Sequence, residues 1–139
     1  MGQEENKAIV RAFVEEVQTG GDLDAIEKYF APSFFNFTQP PGFQDRRGVR
    51  KIHAALRTAF PDLRVKIIKQ SADGDKVWTY KRFSGTHKGE WAGVPPTRKK
   101  VSFDVIDILT LKDGKITEHW HVMDQLGIYQ QMGARPPTA

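Results

Sequence analysis

The sequence predicts an α+β fold, with N-terminal helices packed on a curved, mainly antiparallel sheet. Two observations predict it. Apolar residues recur at helical spacing through the first 60 or so positions and then switch to strand-like alternation. The longest alternating stretch, VSFDVIDILTLKDGKITEHWHVM from Val101 to Met123, turns back on itself at Asp113-Gly114, a dipeptide suited to a tight hairpin. The 139 residues contain no repeat, low-complexity tract or change of composition, so a single domain over 1–139 is expected, with 134–139 a loose tail.

Each element follows from its own residues. Ile9, Val10, Phe13, Val14 and Val17 form one face of a first helix that ends at Gly20-Gly21. Asp22 is placed to cap a shorter helix with Leu23, Ile26, Tyr29 and Phe30, stopped by Pro32. Phe34 to Phe37 reads as a brief strand or extended wall. A loop rich in Pro, Gly and charge follows, over 39–48. Val49, Ile52, Leu56 and Phe60 mark a third helix, halted at Pro61. Strands are expected over 63–70 and 77–84 around the turn Asp73-Gly74. The segment GTHKGEWAGVPPT reads as a short strand with a loop. The long hairpin comes next, and Leu126 to Met132 closes the chain as a turn of helix.

Composition narrows the chemistry. No cysteine is present, which excludes disulfides, thiolate nucleophiles and Cys-based zinc sites. The net charge is +4, and the basic clusters Arg46-Arg47 and Arg98-Lys99-Lys100 read as solvated loops rather than a nucleic-acid surface. No apolar run is long enough to span a bilayer, and MGQEENK is unlike a secretory leader. A cytoplasmic protein without nucleic-acid or membrane partners is expected. His119-x-His121 with an aspartate is a weak metal pattern, and no metal site is expected. Nucleophile-elbow, phosphate-loop and dinucleotide motifs are absent.

The hairpin carries the candidate chemistry. Alternation puts Asp107 on the strand face of Phe103 and Val105, and puts His119 and His121 on one face of the return strand. A register that pairs odd with odd positions brings a carboxylate beside two imidazoles, and a slip of one residue separates them. His121, with an ordinary pKa of about 6.5, suits proton transfer near neutrality, with Asp107 to fix its tautomer. Asp124 competes with it as the key acid. Asn36 is a candidate to hold a substrate carbonyl, and His87 and His119 are candidate polar contacts. Phe35 and Trp120 offer aromatic area for a pocket wall, although Trp120 has the opposite parity to His121 and needs a bulge to reach it. His53, in a helix rich in Arg and Lys, is expected to be exposed.

Four fragments in order, AALRTAFPDLRVKI (54–67), GTHKGEWAGVPPT (85–97), DGKITEHWHVMD (113–124) and LGIYQQMG (126–133), resemble the SnoaL-like polyketide cyclases of the NTF2-like superfamily. The resemblance covers nearly the whole chain. It implies a cone-shaped α+β barrel with an apolar pocket, often in a homodimer. It also implies an enzyme that closes a ring by intramolecular aldol condensation on a small hydrophobic, polyketide-like ester, without metal or organic cofactor. The family's acid/base aspartate aligns with His121, a family histidine with Asp107, a family glutamine with Val105, and a family asparagine with Asn36. Aspartate and imidazole thus exchange places, which leaves the reaction itself open. A non-catalytic binding protein, an isomerase or an epoxide-opening enzyme would use a similar pocket.

Overall fold

A computed structural model of the protein describes residues 2–137. Helix α1 (Gln3–Phe13) runs directly into a π-helical stretch, Val14–Thr19. A 3-10 turn, Leu23–Ala25, leads into α2 (Ile26–Tyr29). The edge strand β1 (Phe30–Asn36) and helix α3 (Arg46–Ala59) follow. Then come β2 (Arg64–Asp73), β3 (Lys76–Thr86), β4 (Lys100–Lys112) and β5 (Lys115–Met123), and α4 (Gln125–Met132) ends the order. The five strands form one sheet in the order β1-β5-β4-β3-β2, with β1 parallel to β5 and the other pairs antiparallel. This is the expected fold class.

The local chemistry explains most boundaries. Asp45 caps α3, its Oδ1 accepting from the Gly48 amide at 2.9 Å. A side chain at Gly48 would meet the Phe43 carbonyl, so the glycine lets the 40–45 loop lie against the helix. Asp113 and Gly114 both take positive φ, 52° and 78°, as a two-residue hairpin turn demands. Three expectations need correcting. Asp22 makes no side-chain cap. Pro32 lies inside β1 rather than ending a helix, which this edge strand tolerates because the pairing with β5 is interrupted between Phe30 and Phe35. Within 85–97, β3 extends only to Thr86, and beyond it there is just the isolated bridge Trp91–Val94. Part of the expected loose tail is tied down: Ala134 packs on the core and donates to the Tyr129 carbonyl at 2.9 Å. Residues 138–139 lie outside the described residues.

The helices cover one face of the sheet, and two apolar clusters fill the space between. Val10, Phe13, Val17, Phe30, Leu109 and Ile116 belong to the first, and Leu56, Phe60, Phe83, Phe103, Val105 and Ile128 to the second. From Val101 to Leu109 the alternation along β4 is uninterrupted: Val105 belongs to one cluster, Leu109 to the other, and Asp107 falls between them, also buried. The fold therefore places a carboxylate at the junction of its two cores.

Candidate active site

The register is odd with odd. Asp107 faces His121 across the ladder, and Leu109 faces His119, until a bulge at Thr110/Leu111 changes the pairing. Asp107, His119 and His121 share the inner face, as the alternation predicts. The Asp107 carboxylate, however, does not bond to His121. Its Oδ1 accepts from His119 Nε2 at 2.6 Å, and its Oδ2 pairs with the Lys81 ammonium at 2.6 Å. The diagonal neighbour wins because Lys81 on β3 and the β1 side chain Asn36 hold the two ends of the pair. Asn36 Nδ2 lies 3.1 Å from His119 Nδ1.

Lys81 is only 1% exposed. A buried ion pair is tolerable when its remaining donors and acceptors are satisfied. Here Lys81 also donates to Gln18 Oε1 at 3.0 Å and sits 5.5 Å over the Phe13 ring. Gln18 continues the chain to His53, with nitrogens 3.2 Å apart, and His53 reaches the Val49 carbonyl at 2.7 Å. Burial alone would raise the Asp107 pKa. The Lys81 charge and the His119 bond outweigh it and hold the carboxyl well below its ordinary value. Burial lowers His53 to about 4, so it is a neutral core histidine. That corrects the expectation of an exposed side chain: His53 follows Val49 by four positions and so lies on the apolar face of α3.

His121 is in a different state. Its ring makes no hydrogen bond to the described residues; Nδ1 is buried without a partner, whereas Nε2 is not. Only its backbone is held, the amide donating to Thr38 Oγ1 at 3.0 Å. Burial, the largest cause, lowers His121 to about 4, and its ring centroid lies 5.1 Å from that of His119. The side chain lines a cleft of about 490 Å³ with Phe43, Ile52, Leu56, Trp91 and Met123. A smaller cavity of about 50 Å³ lies over Asp107, His119, Asn36 and Lys81. Gln39 and Ile52 line both spaces. Of these two spaces, the cleft is the one with the size of a ligand site.

The other expected site residues lie elsewhere. Asp124 caps α4, accepting from the Gly127 amide at 3.0 Å, and does not line the cleft. His87 is buried in its loop, where Nδ1 accepts from the Thr97 amide at 3.2 Å and its backbone bonds Lys99 and Arg98. Phe35 and Trp120 are on the outer sheet face, where Phe37 packs against both and stacks on Trp120 at 4.5 Å. Strand parity at Trp120 puts it there, because the bulge lies beyond it, at Thr110/Leu111. Lys81 and Gln18 were missed. Lys81 carried a signal, since it shares the parity of Val77 and Phe83 and so belongs on the apolar face of β3.

Among the described residues, no three His, Asp or Glu side chains are grouped to hold a metal ion. Among the same described residues, no helix is long and apolar enough to cross a membrane. Residues 8–132 match the family model of the SnoaL-like polyketide cyclases. The chain is 29% identical to the aklanonic acid methyl ester cyclase DnrD of Streptomyces peucetius, over 94% of this chain and 92% of that one. It is 26% identical to the nogalonic acid methyl ester cyclase of Streptomyces nogalater, over 81% and 87%. A solved structure of a candidate polyketide cyclase from Acidithiobacillus ferrooxidans superposes with a TM-score of 0.82 at 32% identity, over 93% and 94% of the two chains.

Proposed function

The chain belongs to the SnoaL-like polyketide cyclase family, and from that footing we propose that it is a cyclase that closes a carbocycle in a hydrophobic, carbonyl-rich ester by intramolecular aldol addition, with His121 as general base. The observation that carries the reading is the uncommitted imidazole of His121 on the wall of a cleft of about 490 Å³. The relatives named above act on methyl esters of aklanonic and nogalonic acid. An apolar cleft lined by Phe43, Leu56, Trp91 and Met123 suits a ligand of that kind.

The chemistry needs one proton carrier. His121 Nε2 takes the proton alpha to a carbonyl, and the resulting enolate carbon attacks a second carbonyl of the same molecule. One carbon–carbon bond forms, the carbonyl π pair becomes an alkoxide, and the imidazolium returns the proton to that oxygen. No electrons leave or enter. An imidazole lowered to about 4 is a modest base but a ready proton donor. That combination suits a carbon acid already activated by two carbonyls. The cleft's main task is to fold the chain so that the two carbons meet. Asn36, in contact with His119, is the amide best placed to receive the enolate oxygen if the substrate displaces Gln39.

The outer sheet face supports a homodimer. Trp78, Ile106, Trp120 and Val122 form adjacent cross-strand rows there, with Val122 75% exposed. Charges of both signs, Arg82, Lys66, Asp104 and Glu118, flank them. A patch that is apolar at its centre and mixed in charge at its rim can pair with itself about a twofold axis. Light scattering on the parent and on Trp120→Glu tests this: a dimer that becomes a monomer supports it, and a monomeric parent contradicts it.

Turnover of an uncyclised anthracycline-type methyl ester by the parent, His121→Ala and His121→Asp tests the cyclase reading. Loss in the alanine variant with partial activity in the aspartate variant supports an acid/base at position 121. Equal turnover in all three removes His121 from the chemistry. Tight binding without turnover in the parent favours a carrier.

A further inference from the structure

The buried polar chain has a fixed direction. Asn36 Oδ1 accepts from the Thr38 amide at 3.0 Å, which turns Nδ2 toward His119 Nδ1. An amide nitrogen only donates, so Nδ1 of His119 accepts and the ring proton is on Nε2, given to Asp107. The far end obeys the same logic. The Val49 carbonyl only accepts, so His53 carries its proton on Nδ1, and its Nε2 accepts from the Gln18 amide. Gln18 Oε1 is thereby turned to Lys81. Lys81 has two oxygens to meet, one neutral and one charged, and Asp107 has two donors. His119 has no acceptor for a second proton.

We propose that Lys81, held in place by Gln18, is a positioning residue of the ring-closing site: by balancing the Asp107 charge it keeps His119 a neutral imidazole, protonated on Nε2, beside His121. The proposal rests on the reading of His121 as the base. Without Lys81 the Asp107 carboxylate would be a lone buried charge. His119 is the group in contact with it that can supply a compensating positive charge, by taking a second proton on Nδ1 and displacing Asn36. The groups around that imidazole are Asp107, Asn36, Phe34 and His121, with Lys81 and His53 behind Asp107. A cationic ring with its centroid 5.1 Å from that of His121 opposes proton uptake there and so weakens the base. Gln18 reaches the network from the π-helical stretch, the kind of widened turn that often marks functional positions.

The test is the nitrogen spectrum of the full chain labelled in histidine, recorded without substrate at pH 7.5, with His119 assigned by its loss in His119→Gln. The expected parent spectrum has His119 protonated on Nε2 alone. In Lys81→Met both nitrogens are expected to be protonated, and kcat/KM on the methyl ester is expected to fall about tenfold or more. Lys81→Arg is expected to restore the single proton and part of the rate. A doubly protonated His119 in the parent, or a singly protonated one in a folded Lys81→Met, overturns the proposal. If Lys81→Met is too unstable to record, the double variant Lys81→Met/Asp107→Asn decides. Recovery of the fold with a neutral His119 supports charge balance, and a double variant as unstable as the single one overturns it. Because the spectrum needs no turnover, failure of the cyclase reading and failure of this one are distinguishable.

Discussion

Two imidazoles two residues apart on one strand face have opposite fates. His119 is partly buried between β1, β4 and the helices, its side chain 20% exposed, and both its nitrogens are engaged, by Asp107 and Asn36. His121 lies one pleat farther along, where the 38–43 loop and α3 leave a gap, and its ring is engaged by nothing described. This fold separates two uses of polar groups. Where a buried network is complete, it holds elements together. Where it is left one partner short, a substrate can supply the partner.

The largest effect is expected at the closed end. Asp107→Ala strands the Lys81 ammonium in the core and should cost about 3–5 kcal/mol, measured by urea unfolding. Adding Lys81→Met should return most of that loss, because an uncharged pair leaves no buried ion. A nearly neutral Asp107→Ala would show that this carboxylate does not hold Lys81 in the core.

At the open end the order of fold and rate reverses. His121→Ala removes no hydrogen bond, so its unfolding free energy should change by no more than about 1 kcal/mol. Its turnover should fall by about 10²–10⁴. Chemical denaturation and steady-state kinetics on the same preparation separate the two quantities. A variant that loses stability and rate together would erase the contrast.

The closed end also makes the fold sensitive to acid. His53 has a folded pKa of about 4 against an ordinary 6.5. Below 6.5 the unfolded chain takes up a proton that the folded chain refuses, so stability is full above that pH and declines as pH falls toward 4. The decline from this residue is at most about 3 kcal/mol. His53→Gln should flatten the profile between pH 6.5 and 4, and an unchanged slope would assign the decline to other groups. The smallest effect is expected outside both ends: Phe35→Ala should lose its edge contact with Phe37, about 0.5–1.5 kcal/mol, read as a shift in melting temperature.

The hairpin was legible in the sequence because strand alternation and Asp113-Gly114 specify it locally, and with it the shared face of Asp107, His119 and His121. Which imidazole meets the carboxylate was not legible. That choice depends on Lys81 from β3 and Asn36 from β1, both far away in the chain. Lys81 and His53 did carry signals, one by strand parity and the other by helical spacing, that outweigh the polar character of the residues. The π-helical stretch that turns Gln18 inward left no mark in the apolar spacing. The outward placement of Phe35 and Trp120 follows from pleat geometry, against the pull of aromatic residues toward a pocket reading.

The most direct test of the contrast is the pH dependence of kcat/KM for the ester between pH 8 and 5. An uncommitted, partly buried His121 lowered to about 4 remains a free base throughout that range, so the account predicts a flat profile that turns down only on approaching pH 4. A limb with its midpoint near 6.5 would place the essential base on an ordinary, solvated histidine and contradict the assignment.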